Sequence, residues 1–358
     1  MSLASRMNAL MESFYRPDAP GAALLVLKEG KEVLTNGYGL ADMETREKIS
    51  RRTNFRMASV SKQFTAMGTL LLAAKQALLL ADPIGKYIDP LPPACRDITI
   101  EQLLTHTSGV RDYETLIPSS RSTPLLDEDV LNLLKGKEGT YFPPGERFRY
   151  SNTGYLLLAL IIRQVSGMPF ADFLKNHIFQ PLNMSHSLVY QEGITIPERA
   201  YGYHFLGGAY HLADQSVTSA TQGDGGVYTS LEDYLKWHQA LETESLLSGQ
   251  WTECMLASRA DIKDGVGYGY GWFAAKGIRG GPCQFHSGES TGFRNIVYRH
   301  PASRTLIVLF SNRDDDSVAR AFDALAAMAA EGVAAFTGGR SPCGPVPLFD
   351  WLHRVYEV

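Results

Sequence analysis

Several features that would direct this sequence toward particular classes of protein are missing. Four cysteines, Cys95, Cys254, Cys283 and Cys343, lie far apart, with no C-x-x-C pair and no Cys/His cluster at zinc spacing. That pattern supports neither a disulfide scaffold nor a metal site. There is no Lys/Arg-rich run, and 34 basic residues face 38 acidic ones for a formal net charge of −4. Nucleic acid and anionic membrane surfaces are therefore not expected as partners. The longest apolar stretches, Leu156–Ile162 and Leu70–Leu80 (broken by Lys75 and Gln76), fall well short of the ~20 residues that cross a bilayer, so no stable membrane insertion is expected. Met1-Ser2-Leu3-Ala4-Ser5-Arg6 has no apolar signal core after its charge. The expectation is a cytoplasmic protein, or an exported one whose signal has been removed. Internal repeats and low-complexity segments are absent, and no pattern asks for a cofactor.

What is present is an ordinary folding composition, 44% hydrophobic and 20% charged. A chain of 358 residues is expected to split into two parts rather than bury one core. Residues 3–15 suit a short helix, and Ala22–Leu27 with Glu32–Tyr38 suit a hairpin around Lys28-Glu29-Gly30-Lys31. A helix follows Arg51-Arg52-Thr53, with Val60, Phe64, Met67 and Leu71 on one buried face. Residues 79–190 read as mostly helical: Thr99 is placed to cap Ile100–Leu104, and Ser151 or Asn152 to cap Thr153–Val165 ahead of Gly167. Ser230 and Asp233 form a capping box before Leu231–Leu241. Strands return at Gln284–Ser287, Asn295–Tyr298 and Thr305–Phe310, followed by an amphipathic helix near Asp316–Glu331 and the loop Gly338–Pro342. The arrangement predicts an α+β fold. Residues 1–78 and 265–358 would form a discontinuous sheet domain and residues 79–264 an inserted, mostly helical one, with a site in the cleft between them.

Three short patterns carry chemistry. Ser59-Val60-Ser61-Lys62 is the one S-x-x-K in the chain; at a helix start its spacing puts Ser59 and Lys62 one turn apart on one face, near free N–H groups. A serine hydroxyl needs a base, and an ordinary lysine is neutral in about one molecule per few thousand at pH 7. Burial among Phe55, Phe64 and Met67 would lower that cost. The bland alternative is a capping serine and a solvated lysine. Tyr150-Ser151-Asn152 is the one Y-x-N. A phenol beside a lysine ammonium would lose its proton more easily, so Tyr150 and Lys62 would titrate as a coupled pair, with Asn152 holding the ammonium and the substrate in register. Equally, Tyr150 could be a core aromatic and Asn152 an N-cap. His286-Ser287-Gly288 lies on an expected strand, where Gly288 would let substrate backbone approach and His286 would hydrogen-bond Tyr150 or substrate. The backbone N–H groups of Ser59 and Glu289 are candidates for an oxyanion hole. The remaining histidines read as structural. Gly288-Glu289-Ser290-Thr291-Gly292 also matches the G-x-S-x-G nucleophile elbow, which needs a helix after it; Phe293–Tyr298 reads instead as strand. Tyr201, Tyr203, Tyr210 and Trp272 are possible pocket walls or ordinary packing.

S-x-x-K, Y-x-N and H-x-G in that order resemble the serine β-lactamase and penicillin-binding-protein superfamily, in its class C-like branch. The connecting segments Pro20–Ala23, Phe55–Ala66, Leu103–Gly109, Phe142–Gly145 and Gly223–Ser230 share the resemblance, which covers roughly residues 20 to 312. It implies a β-lactamase/transpeptidase-like fold, an antiparallel sheet flanked by N- and C-terminal helices with an inserted helical domain. It further implies an acyl-enzyme on Ser59, with Lys62 and Tyr150 as the acid/base pair. Where class C β-lactamases carry Lys-Thr-Gly this chain has His286-Ser287-Gly288. That exchange removes a cation for the β-lactam carboxylate and points toward carboxylesterases and D-amino-acid peptidases or amidases acting on small esters, amides or peptides. Arg294 is the candidate replacement cation. Rival readings are a penicillin-binding D,D-peptidase, an efficient β-lactamase and, in another class, a non-catalytic binder.

Overall fold

The computed structural model describes residues 1–135, 139–275, 282–330 and 348–356. Cys343 and the loop 338–342 lie outside the described residues; Cys95, Cys254 and Cys283 are free thiols.

Helix α1 (Leu3–Phe14) is capped by Ser2, whose hydroxyl accepts from the Ser5 amide, and buries Met7 and Met11. Strands β1 (Ala22–Lys28) and β2 (Lys31–Tyr38) form the expected hairpin. Glu29 and Gly30 both take positive φ in its turn, which matches the twist of the flanking strands. After β3 (Phe55–Arg56) the chain makes a 3₁₀ turn at Ala58–Ser61, and only then does α2 (Lys62–Ala74) begin. Ser59 is thus on a tighter turn than the expected α-helix start. The turn holds Ala58 at φ 48, a left-handed conformation unusual for a residue with a Cβ. Helix α2 is buried almost all round, not on one face: Gly68 lies against Ile162 and Leu174, which a Cβ would meet at 3.1 and 3.3 Å.

The middle of the chain holds α3 (Ile100–Leu104), α4 (Asp127–Leu134), α5 (Asn152–Ser166) and α6 (Phe170–Leu174), with strands β4 (Leu188–Val189), β5 (Tyr203–Leu206), β6 (Ala209–Leu212) and β7 (Val227–Thr229) and helices α7 (Leu231–Thr243) and α8 (Gly249–Leu256) after them. It contains less helix than expected, because prolines at 90, 92, 93, 118, 124, 143 and 144 interrupt it. Thr99 caps α3 in a full capping box, and Gly167 ends α5 at φ 69. The box at α7 is half formed. Ser230 accepts from the Asp233 amide, but the Asp233 carboxylate turns to the His186 amide and the Ser187 hydroxyl. Among the described residues no single helix is long and apolar enough to cross a membrane.

The last part supplies β8 (Ala260–Lys263), β9 (Val266–Tyr268), β10 (Phe273–Ala275), β11 (Cys283–Ser290), β12 (Phe293–His300) and β13 (Thr305–Ser311), then α9 (Ser317–Ala330) and α10 (Leu348–Tyr356). Eight strands form one antiparallel sheet in the order β2-β1-β13-β12-β11-β10-β9-β8, and its C-terminal run of strands begins at Ala260. Strand β1 pairs with β13 from Ala22↔Ser311 to Leu27↔Leu306, joining opposite ends of the chain. Both strands are buried nearly throughout, which is why they read as continuous apolar runs rather than alternating ones. Helices α1, α9 and α10 pack in sequence beside the sheet.

Candidate active site

The Ser59 turn is pinned from two sides. The Met57 amide donates to the Val227 carbonyl (2.8 Å), and the Ser61 hydroxyl accepts from the Val227 amide (3.0 Å). On the other side Asn295 Nδ2 donates to the Arg56 carbonyl (2.9 Å), while Gly288 abuts the Met57 carbonyl, which a Cβ would meet at 2.1 Å. Gly288 is therefore required for the approach of the Ser59 turn to β11. In this tightly packed turn Ser59 alone keeps partial exposure among residues 53–70.

Lys62 is fully buried. Its Nζ lies 2.9 Å from Ser59 Oγ, 2.7 Å from Asn152 Oδ1 and 3.0 Å from the Asp224 carbonyl. Burial lowers its pKa to about 8, against the pull of the carboxylates of Asp224, Asp112 and Glu114. At pH 7 about one molecule in ten then carries the neutral amine. In that form two N–H bonds serve Asn152 and Asp224, leaving the lone pair for the Ser59 proton.

The Tyr150 segment rests on His106. The Arg149 amide donates to the His106 carbonyl (2.8 Å), the Ser151 amide donates to His106 Nδ1 (3.2 Å), and the Tyr150 and His106 rings meet at a tilt of 35° with centroids 4.3 Å apart. His106 is buried and held neutral by that burial, with the Lys62 charge adding to the effect. Tyr150 meets Lys62 through its ring, with Nζ 4.9 Å from the ring centroid. Its hydroxyl is buried without an aligned hydrogen-bond partner, although Ser59 stands near enough to favour ionisation slightly. Burial dominates and raises the Tyr150 pKa well above the usual value. The expected easy loss of the phenol proton is therefore corrected: burial, with the neighbouring Tyr356 adding to it, outweighs the help from Ser59, so the phenol stays protonated and it is the amine that readily becomes neutral.

Asn152 begins α5, but its side chain does not cap that helix. Its amide N donates to Asp112 Oδ2 (2.5 Å) and its Nδ2 to Glu114 Oε1 (2.9 Å), while Oδ1 accepts from Lys62. Burial, then the neighbouring Asp112 charge, raises Glu114 to about 7. These carboxylates, with the backbone carbonyl of Asp224, complete the lysine's surroundings. Neither D-Y-E nor G-D-G has a spacing tied to S-x-x-K, although Asp224 lies in the Gly223–Ser230 segment that shares the family resemblance.

Ser59, Tyr150 and Asn152 line one open cavity of about 310 Å³, together with Asp112, Glu114, Ser287, Glu289 and Tyr356. His286 does not line it. Its ring is buried, with Nε2 3.0 Å from the Tyr268 hydroxyl and Nδ1 2.6 Å from the Ser287 carbonyl, so the expected bond to Tyr150 or substrate is replaced by one to Tyr268. Burial brings its pKa down to about 3; the ring carries no charge near neutral pH. Arg294 is also corrected: it pairs with Glu289 (3.0 Å) and Asp316 (2.9 Å), so its charge is already neutralised. Ser290 ends β11 with a buried, unpartnered hydroxyl, and β12 follows directly, which leaves no elbow helix. Tyr203 and Tyr210 hydrogen-bond Met43 and Arg313, Arg199 lies over Tyr201, and Trp272 is buried. None of these four aromatics lines the cavity. Among the described residues no group of three His, Cys, Asp or Glu is placed to hold a metal ion.

Comparison with known proteins gives a consistent result. The family model described as Beta-lactamase matches residues 3–331. Penicillin-binding protein 4* of Bacillus subtilis is 30% identical over 329 residues, covering 87% of this chain and 72% of that protein. Protein flp of Staphylococcus aureus is 28% identical over 84% of this chain, which spans 61% of flp's own length. Among solved structures, a penicillin-binding protein from Bacillus halodurans superposes with a TM-score of 0.79 at 28% identity, over 90% of this chain and 98% of that one. A D-amino acid amidase from Ochrobactrum anthropi gives 0.77 at 23% identity over 91% and 98%, a likeness of fold. The α+β architecture is that of β-lactamases and transpeptidases.

Proposed function

The chain belongs to the Beta-lactamase family, and from that premise we propose that it is a serine hydrolase whose Ser59 carries the acyl group of a small ester or amide. The observation that carries the reading is the 2.9 Å contact between Ser59 Oγ and a buried Lys62 whose pKa is brought down to about 8. Neutral Lys62 takes the Ser59 proton as Oγ attacks the substrate carbonyl carbon. The oxyanion falls to the backbone amides of Ser59 and Glu289, residues that face one cavity. Collapse breaks the bond to the leaving group, which takes the Tyr150 proton, and the Lys62 ammonium restores the phenol. Water then attacks the acyl-enzyme, passing its proton to Lys62 as Ser59 Oγ departs and is reprotonated.

Small neutral substrates are favoured because the H-x-G strand contributes no cation: His286 is uncharged and Arg294 is bound to carboxylates. One observation favours a second reading, a penicillin-binding D,D-peptidase or a β-lactamase. Arg149 lines the cavity with its guanidinium 4.0 Å above the Tyr141 ring, where it could receive a substrate carboxylate. Parallel assays with p-nitrophenyl butyrate, nitrocefin and D-alanyl p-nitroanilide separate the readings. Turnover is expected to be fastest on the short ester and slowest on nitrocefin. A wide margin in favour of nitrocefin, or a stable adduct with a fluorescent penicillin and no turnover, would overturn the ester reading.

A pH dependence follows from Lys62. Because its neutral form is the base, kcat/KM for the ester is expected to rise about tenfold per unit below pH 8 and to level off above it. The midpoint belongs to the lysine together with its carboxylate neighbours. His106 and His286, neutral through this range by burial, add no limb near their ordinary pKa. A profile that stays flat from about pH 6 to pH 9 would remove Lys62 from the role of base.

A further inference from the structure

Helix α10 reaches the cavity through one residue. Tyr356 Oη lies 2.8 Å from Ser287 Oγ, and the phenol ring stands 4.7 Å from that of Tyr150 and 6.0 Å from that of Phe273. The helix behind it is fixed independently of this contact. Trp351, Leu352 and Val355 are buried, Trp351 Nε1 donates to Asp264 Oδ2 (3.0 Å), and His353 Nε2 meets Glu289 Oε1 at 3.1 Å. An aromatic held by a packed helix makes a rigid boundary, unlike a side chain on a loose loop. Its hydroxyl also engages the Ser287 hydroxyl that β11 would otherwise present to a ligand.

We propose that Tyr356 is a specificity-determining residue: its ring walls the cavity on the β11 side, limits the size of the acyl group that Ser59 accepts, and withdraws the Ser287 hydroxyl from substrate binding. The proposal rests on the reading of Ser59 as nucleophile. Its physical basis is that a hydrophobic pocket discriminates by roughly 10–200-fold per methylene of fit or misfit. A whole ring removed from the wall should therefore shift chain-length preference, not merely lower activity.

The test compares kcat/KM on p-nitrophenyl octanoate with that on p-nitrophenyl acetate, as a ratio within each purified, folded variant. Tyr356→Ala is expected to raise the octanoate-to-acetate ratio about tenfold or more, and Tyr356→Trp to lower it by a similar factor. A tyrosine that served only to hold α10 in place would reduce both substrates together and leave the ratio unchanged, and that result overturns the proposal. Should Tyr356→Ala fail to fold, Tyr356→Trp, which keeps an aromatic anchor on the same helix, decides alone. Ser59→Ala, run beside them, separates the two layers. If it is silent toward both esters while the ratio does not move in the Tyr356 variants, the wall fails and the nucleophile stands; if it remains active, the nucleophile reading fails first.

Discussion

Ser59→Ala is expected to reduce hydrolysis of p-nitrophenyl butyrate by about 10⁶-fold, the scale of loss when the nucleophile is removed from a serine hydrolase. The loss should appear in kcat, because the cavity walls are untouched. Fold stability should change little: the serine hydroxyl is partly exposed and Lys62 Nζ keeps Asn152 and the Asp224 carbonyl. Two measurements check this, steady-state rates on the folded variant and mass analysis of the wild-type chain after treatment with an acylating phosphonate. The phosphonyl group should be found on Ser59. Activity that survives Ser59→Ala and disappears in Ser290→Ala would transfer the chemistry to the other serine, despite its burial at the end of β11.

Tyr150→Phe should cost about 10²- to 10⁴-fold in kcat, the range for a proton-transfer group, and the loss should depend on the leaving group. p-Nitrophenolate leaves without help, whereas an alkoxide or an amine anion does not. If the phenol supplies the proton to the departing group, an ethyl ester or an anilide will lose far more than the p-nitrophenyl ester. Equal losses on all three would remove Tyr150 from that step. The same substitution should leave stability equal or raise it by up to about 1 kcal/mol, because it deletes a buried hydroxyl that has no aligned partner. The ring contacts with His106 and Tyr356 remain. Thermal unfolding of Tyr150→Phe beside wild type reads the sign. A gain in Tm with a loss in kcat is the signature of a strained catalytic group.

Much of the fold was legible from short-range pattern. The β1–β2 hairpin, the Thr99 box, the Gly167 stop and the three late strands follow local rules that tertiary packing left alone. The start of α2 was less legible, because a 3₁₀ turn with Ala58 at positive φ is imposed by Met57, Ser61 and Gly288 meeting two distant strands. The site divides the same way. Ser59, Lys62, Tyr150 and Asn152 announce themselves by spacing and meet around one amine. Asp112, Glu114 and Tyr356 enter only through the fold, while His106 and Asp224 lie in segments that share the resemblance but have no spacing that ties them to Tyr150 or Lys62. His286 and Arg294 depart from their expected roles for one reason: sequence position names a residue type but not its partner, and Tyr268, Glu289 and Asp316 claim these two side chains first.

The pairing of β1 with β13 has a consequence for biosynthesis. Strand β1 is translated well before Thr305–Ser311, its neighbour on one side, so until then it waits with an unsatisfied edge that invites association with other chains. Closing so long a loop is also slow. Ser59 reaches its full surroundings only after Glu289 and Tyr356 arrive. A nascent chain therefore lacks the complete cavity until β11 and α10 have been translated and folded into place.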